Sequence, residues 1–355
     1  MRRNVSLAMF FLVALFAGVL RCQAQSALLD LPRDSQRAQV SQRIGITEIK
    51  ILYHRPLVKG RKIFGGLEPY GKVWRAGANE NTTIEFTDPV SVEGKSLAKG
   101  VYGLHMIPGE NEWTVIFSKN TSSWGSFSYN QAEDALRVSV KSHPDEMHEA
   151  LTFDFDDPKS DAVTVVMRWE KVAVPFKVEV NTPEIVAASL RDQLRGRSGF
   201  EWQALEEAAN YLADAKVYPE EALKDADRSI GIEERFENLI TKARILDALN
   251  RKDEAATVRN KALEKGTVIQ LHIYGRQLMQ QGKRDDAFAI FRANIKKYPD
   301  SWITHNEAAR LAVAQGNFDQ AVKEMKLAAA GADPQNKPGM EGLVRRLENK
   351  EDINK

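Results

Sequence analysis

Apolar residues alternate with polar ones through the first half of the chain and recur every three to four residues through the second. Thr47, Ile49, Ile51 and Tyr53 alternate with Glu48 and Lys50, a period of two that predicts a strand with one buried face. Further strands are predicted at 82–86, 89–93, 101–107, 112–118, 136–140, 150–155, 162–170 and 172–180. Glu93-Gly94-Lys95 and Pro108-Gly109-Glu110-Asn111 supply turns between them. Short strands at hairpin spacing predict an antiparallel sandwich or barrel rather than a parallel sheet. Pro175 cannot donate to a ladder, so the last strand is expected to lie at an edge or to carry a bulge.

After residue 181 the period lengthens. Thr182-Pro183-Glu184 reads as a helix start with Thr as cap and Pro in the first turn. Gly196 to Gly199 then interrupts the chain, and from Phe200 onward the pattern is helical throughout. Aligning the small residue that opens the second helix of each unit gives Ala222, Ala255, Ala287 and Ala321, at spacings of 33, 32 and 34 residues. That is the period of paired-helix solenoids. The third unit adds Leu271, Gly275, Phe291 and Pro299, and the fourth adds Ala309, Gly316 and Phe318. These units resemble the tetratricopeptide repeat. The fold class predicted is therefore multidomain: an antiparallel β-sandwich or barrel-like domain followed by an α-helical, tetratricopeptide-like solenoid. The expected divisions are a signal peptide at 1–24, an N-terminal segment at 25–43, a β-rich domain at 44–181, a helical connector at 182–199, repeats at 200–335, and a capping helix and tail at 336–355.

The amino terminus carries Arg2 and Arg3 before an uncharged run from Leu7 to Leu20. As a helix that run rises about 21 Å, short of the roughly 30 Å of a bilayer core. It reads as a signal peptide cleaved near Ala24, with no stable membrane insertion afterwards and a periplasmic or secreted destination. Cys22 raises lipidation as the alternative, although Arg21 precedes it where a small residue is usual. The formal charge of the whole chain is +1. Cleavage would remove Arg2, Arg3 and Arg21 and take it to −2. Such a balance argues against nucleic acid as a partner. One cysteine excludes a disulfide framework and a four-cysteine zinc site.

The most distinctive words lie between 53 and 80: Tyr53-His54-Arg55-Pro56, Lys59-Gly60-Arg61, Ile63-Phe64-Gly65, Pro69-Tyr70-Gly71, Val73-Trp74-Arg75 and Gly77-Ala78-Asn79-Glu80. Leu97 to Tyr102, Ile107-Pro108-Gly109, Trp113-Thr114-Val115 and Trp124-Gly125-Ser126 continue the pattern. Together they resemble an uncharacterised family of exported bacterial proteins known as domain of unknown function 2911, over about 40–180. The resemblance implies a tetratricopeptide tail in many members and brings no established activity.

Tyr53 to Arg75 contains six cations, Arg55, Lys59, Arg61, Lys62, Lys72 and Arg75, against the single acid Glu68. Gly-rich turns admit an anion to backbone amides, and Arg offers a planar fork to carboxylate or phosphate. A pocket for an anionic or sugar-like ligand lined by Arg55, Lys59, Arg61, Arg75, Asn79 and Glu80 is one reading. The other is internal pairing with residues 133–161, which carry nine acids and three cations. An acid/base pair of His54 with Glu80 would make the loop the site of a hydrolase-type enzyme. Tyr53, Trp74, Trp113 or Trp124 could instead form a stacking platform for carbohydrate. His143 and His148 flank acids in HPDEMH, but the spacing is loose and reads as a loop, so no metal and no cofactor are assigned. No P-loop, GxGxxG, HExxH or GxSxG occurs.

In the helical half, the residue eleven before Ala255, Ala287 and Ala321 is Arg244, Arg276 and Arg310. Ile240, His272 and Asn306 precede each Arg by four and share its face. Arg244, Arg276, Arg310, His272 and Asn306 thus form a candidate ladder for a protein or peptide partner, suited to acidic groups. The bland alternative pairs each Arg with a nearby acid. The overall expectation is an exported, non-enzymatic binding or scaffold protein.

Overall fold

The computed structural model describes residues 32–354. The expected signal peptide, its cleavage site near Ala24 and Cys22 lie outside the described residues. The chain divides into two compact units, one ending at Ile185 and the other beginning at Val186.

Among the described residues of the first unit, ten strands form two antiparallel sheets. The larger has β1 (Gln36–Ile44), β2 (Thr47–Arg55), β3 (Thr83–Phe86), β6 (Gly100–Ile107), β7 (Glu112–Ser118) and β8 (Asp134–Lys141), in the order β1-β2-β3-β6-β7-β8. The smaller takes β4 (Val90–Val92), β5 (Lys95–Leu97), β9 (His143–Asp156) and β10 (Ala162–Glu179), in the order β5-β4-β10-β9. The sheets stay separate, so the barrel alternative gives way to a sandwich. Period two sends Ile49, Ile51, Tyr53, Leu104, Met106, Val115 and Phe117 inward from the larger sheet, against Phe153, Val165, Met167, Trp169 and Phe176 of the smaller. Tyr53 and Phe153 meet edge-on with centroids 5.0 Å apart, and the Phe153 amide donates to the Tyr53 hydroxyl at 3.2 Å.

Three stretches differ from the pattern expected. β1 falls almost wholly in the N-terminal segment, ahead of the expected start of the β-rich domain at 44. The 162–170 and 172–180 strands are one, bent where Glu170 adopts φ +57° and the register against β9 shifts. Pro175 sits between the part of β10 that pairs with β9 and the part that pairs with β4, where no donor is demanded. The HPDEMH stretch is the start of β9 rather than a loop.

Helix α1 (Thr182–Gln193) begins with the Asn181 side chain accepting from the Glu184 amide at 3.5 Å, so Asn181 rather than Thr182 supplies the cap. The pairs that follow are α2 (Trp202–Ala215) with α3 (Pro219–Ile232), α4 (Phe236–Ala248) with α5 (Lys252–Lys265), α6 (Val268–Gln280) with α7 (Arg284–Lys297), and α8 (Trp302–Ala314) with α9 (Phe318–Gly331). Ala222, Ala255, Ala287 and Ala321 are all fully buried on the second helix of each pair. Gly282 and Gly316 take φ +76° at the turns inside the last two pairs. Gly275 lets α6 approach Phe291, because a Cβ there would stand 2.4 Å from the ring. α10 (Lys337–Glu348) closes the array with Val344 and Leu347 packed against α8 and α9 residues. Among the described residues, no helix is long and apolar enough to cross a membrane.

Candidate functional site

Alternation puts His54, His105 and Ile116 on the outer face of the larger sheet, opposite the core residues Tyr53, Leu104 and Val115. They are nonetheless buried. Beyond the end of β3, Trp74 pairs with Met106 through two 2.8 Å backbone bonds, and the Leu104 amide donates to the Thr82 carbonyl at 2.8 Å. Trp74 turns into the core, where it stacks on Trp169 at 5.7 Å. Arg75, the next residue, therefore faces outward with His105.

A polar cluster results. Glu80 takes Arg33 Nη1 at 2.8 Å and lies 3.2 Å from His54 Nε2. His105 Nδ1 is 3.1 Å from Ser126 Oγ. Glu80 bridges to Trp124 through the backbone, and Gly125 presses on Arg75, a Cβ there falling 3.0 Å from Nη1. The Arg75 guanidinium is half-buried, its Nε is buried without a partner, and among the described residues no hydrogen bond or ion pair reaches it. Burial lowers its pKa, opposed by the charges of Glu68 and Glu80. Burial holds the His105 imidazole down at about 4, with Arg75 adding to the effect. It lowers His54 too, against the pull of Glu80. Glu68 is raised by burial to about 7, with Arg75 and Arg61 opposing.

The other residues of the expected pocket are held elsewhere. Arg55 Nε donates to the Leu151 carbonyl at 2.9 Å. Arg61 donates to the carbonyls of Val58 and Leu57. Lys59 reaches Asp34 at 3.0 Å, and its amide donates to Glu149. Asn79 takes φ +58° and donates to the Ser35 carbonyl at 3.3 Å. Pairing with the acidic segment thus amounts to Glu149 on a Lys59 amide, while backbone carbonyls serve Arg55 and Arg61. Of the proposed stacking aromatics, Tyr53, Trp74 and Trp113 are buried and Trp124 is 58% exposed. Asp145 lies 3.4 Å from His148 and also pairs with Arg168, and no cluster of three metal-ligating side chains is assembled among the described residues. A shallow groove of about 720 Å³, lined by Val90, Leu97, Val180 and Pro183 with Asp161 and Glu179, shares no residue with the Arg75 cluster.

On the first helices, the three arginines occupy one repeat position but three environments. Arg244 donates to Asn210 at 2.8 Å and pairs with Asp214. Arg276 is half-buried, and among the described residues it has no hydrogen bond or ion pair. Arg310 is buried, and its Nη1 donates to the Ile353 carbonyl at 2.6 Å. Burial lowers Arg310 to about 10, with Arg276 and Arg346 adding like-charge repulsion. His272 Nδ1 lies 2.9 Å from the buried Glu307 carboxylate, and Asn306 is buried with Oδ1 unpartnered. The even ladder expected from spacing is broken at Arg310, where the chain's own Ile353 and Asn354 occupy the position. Ile269 and Ile273 stand 55% and 50% exposed on α6, on the stripe that carries Arg276.

Sequence reading did not select Arg33, Glu68, Ser126, Asn294 or Glu307. His105 alternated in its strand as a face residue does, and that was its one signal. Ser126 lay in a family word without a partner to give it meaning.

No curated protein matches the chain. Among solved structures, a similar chain is one described as the crystal structure of MamA, with 15% identity and a TM-score of 0.29 over 46% of this chain and 92% of that one. Residues 35–178, which span the ten strands almost completely, match the model of the family described as "Protein of unknown function (DUF2911)", the family that the words between Tyr53 and Ser126 resemble.

Proposed function

We propose that this is an exported binding protein whose helix pairs hold a protein or peptide partner and whose β unit takes a small anionic or sugar-like ligand. The observation that carries the first part is the stripe Ile269, Ile273 and Arg276 on α6. Positions i, i+4 and i+7 lie on one helical face, so two exposed isoleucines border a cation that has no partner of its own among the described residues. An extended or helical peptide with aliphatic side chains next to a carboxylate fits that face. Arg244 and Arg310 are engaged internally, so the contact centres on α6 rather than running evenly along three arginines.

The test is fluorescence anisotropy against a library of acidic-aliphatic peptides, followed by Ile273→Glu and Arg276→Glu. Binders should weaken at least tenfold in both variants while the melting temperature holds. Peptides that bind both variants as tightly as the native chain would sink the assignment. Export is supported by the apolar run from Leu7 to Leu20 behind two arginines. Mass spectrometry of the protein from its host should find a chain beginning at Gln25; an intact Met1 start overturns that part.

A further inference from the structure

We infer that the cluster around Arg75 binds a small hydroxylated carboxylate, of the uronic or aldonic acid class. The inference rests on the reading of the β unit as an anion-binding module and states what the anion must carry.

Arg75 supplies the first requirement. A guanidinium removed from water without hydrogen bonds is costly, and such groups are normally satisfied. Here the buried Nε has no partner. Glu68 and Glu80 act on the group only through space, and Glu80 is already engaged by Arg33 at 2.8 Å and His54 at 3.2 Å. A ligand carboxylate would complete the fork with two parallel N–H···O bonds.

The neighbours supply the second. Ser126 Oγ is fixed by His105 Nδ1 at 3.1 Å, next to Gly125, where a Cβ would stand 3.0 Å from the guanidinium Nη1. Glu80, the carboxylate fixed in the cluster by Arg33 and His54, keeps lone pairs for a ligand hydroxyl, and its charge disfavours a dianion such as phosphate. A monoanion bearing hydroxyls meets both conditions. Trp124, 58% exposed with Arg33 lying 5.6 Å from its ring centroid, offers an aromatic face beside them.

Ser126 and His105 also have the spacing of a nucleophile and its base. An imidazole held at about 4 is a weak base at neutral pH, far from the match that general-base catalysis favours. Ser126 is therefore assigned to orienting a ligand hydroxyl.

The test is tryptophan fluorescence and calorimetric titration of the protein with D-galacturonate and D-glucuronate, compared with D-galactose, acetate and phosphate. Uronates should bind saturably and at least tenfold more tightly than acetate or galactose. Arg75→Gln should abolish binding with the circular dichroism melt unchanged, and Arg61→Gln should not affect it. Trp124→Phe should remove the fluorescence response. Ser126→Ala should weaken uronate binding without altering that of acetate, which keeps the test open if Arg75→Gln fails to fold. Acetate or phosphate binding as tightly as uronates through Arg75 would overturn the hydroxy-acid inference and leave the anion-binding reading standing. Galactose binding as tightly as the uronates would overturn the role of the carboxylate. Absence of binding by every anion would overturn both readings.

Discussion

The Nδ1 of His272 lies 2.9 Å from Oε1 of Glu307, a carboxylate with no exposed side-chain surface. The same oxygen accepts from Asn294 Nδ2 at 2.9 Å, so one atom ties α6, α7 and α8 together. Burial raises the Glu307 pKa, and its bonds to His272 and Asn294 oppose the rise. Glu307→Ala should cost about 3 kcal/mol in urea unfolding, because it strands two partners. Glu307→Gln keeps the acceptor oxygen but places an amide donor where Oε2 is buried without a partner, and should cost less, about 1–2 kcal/mol. Equal losses in the two variants would mean that the carboxylate charge, rather than the shared acceptor, holds the three helices.

His105 and Glu68 make opposite pH signatures in the β unit. The folded pKa of His105 is depressed to about 4, so its contribution is full above the unfolded value of 6.5 and is lost as pH falls. For a residue this deeply buried the span is about 3 kcal/mol between pH 6.5 and 4. The folded pKa of Glu68 is raised to about 7 from 4.5, so its contribution is full below 4.5 and is lost as pH rises through 7. Relative to the native chain, Glu68→Gln should lose stability more steeply on acidification from pH 7 to 4. His105→Gln should do the reverse. Denaturant midpoints at pH 7, 5.5 and 4 decide it, and parallel profiles in the three proteins would refute it.

Gly275→Ala tests the close approach of α6 to α7. The new methyl would meet Phe291 Cε1 at 2.4 Å and Cδ1 at 2.8 Å, and Phe291 is fully buried. Overpacking of this kind costs about 1–3 kcal/mol, offset by about 1 kcal/mol of helix propensity. A melting temperature lower than that of the native chain is expected. A gain would mean that the helices can separate at no cost.

Ile353 is 4% exposed and packs with Ala309, Val313 and Met325, while its carbonyl accepts from Arg310. Ile353→Ala should destabilise the helical unit by about 2 kcal/mol. Amide exchange in α8 should accelerate in this variant. Unchanged protection at Arg310 would show that the tail rests on α8 without stabilising it.

What was legible followed from periodic packing demands. Ala222, Ala255, Ala287 and Ala321 must be small because helices cross there, and that need repeats every 32 to 34 residues. What was not legible lay at edges and in tertiary contacts. β1 and β9 are edge strands; β1 turns only Ala38, Val40 and Ile44 toward the core, and the first half of β9 is largely exposed, so His143 to Glu149 shows no alternation and resembles a loop. Arg55 and Arg61 looked free because a backbone carbonyl partner leaves no trace in a side-chain pattern. Ser126 and His105 stand 21 residues apart, and only the return of the chain over the outer face of the larger sheet brings them together.

The place of β10 carries a consequence for assembly. This strand, the last of the β unit at Ala162–Glu179, lies between β4 and β9 in its sheet. Residues 90–97 therefore have no strand on their inner side until residue 179 has been made, and the core that closes over Trp74 and Trp113 waits with them. Such long-range pairing is slow, since loop closure precedes any reward. Within the β unit, the step that locks the sandwich is therefore the last that synthesis of its strands permits.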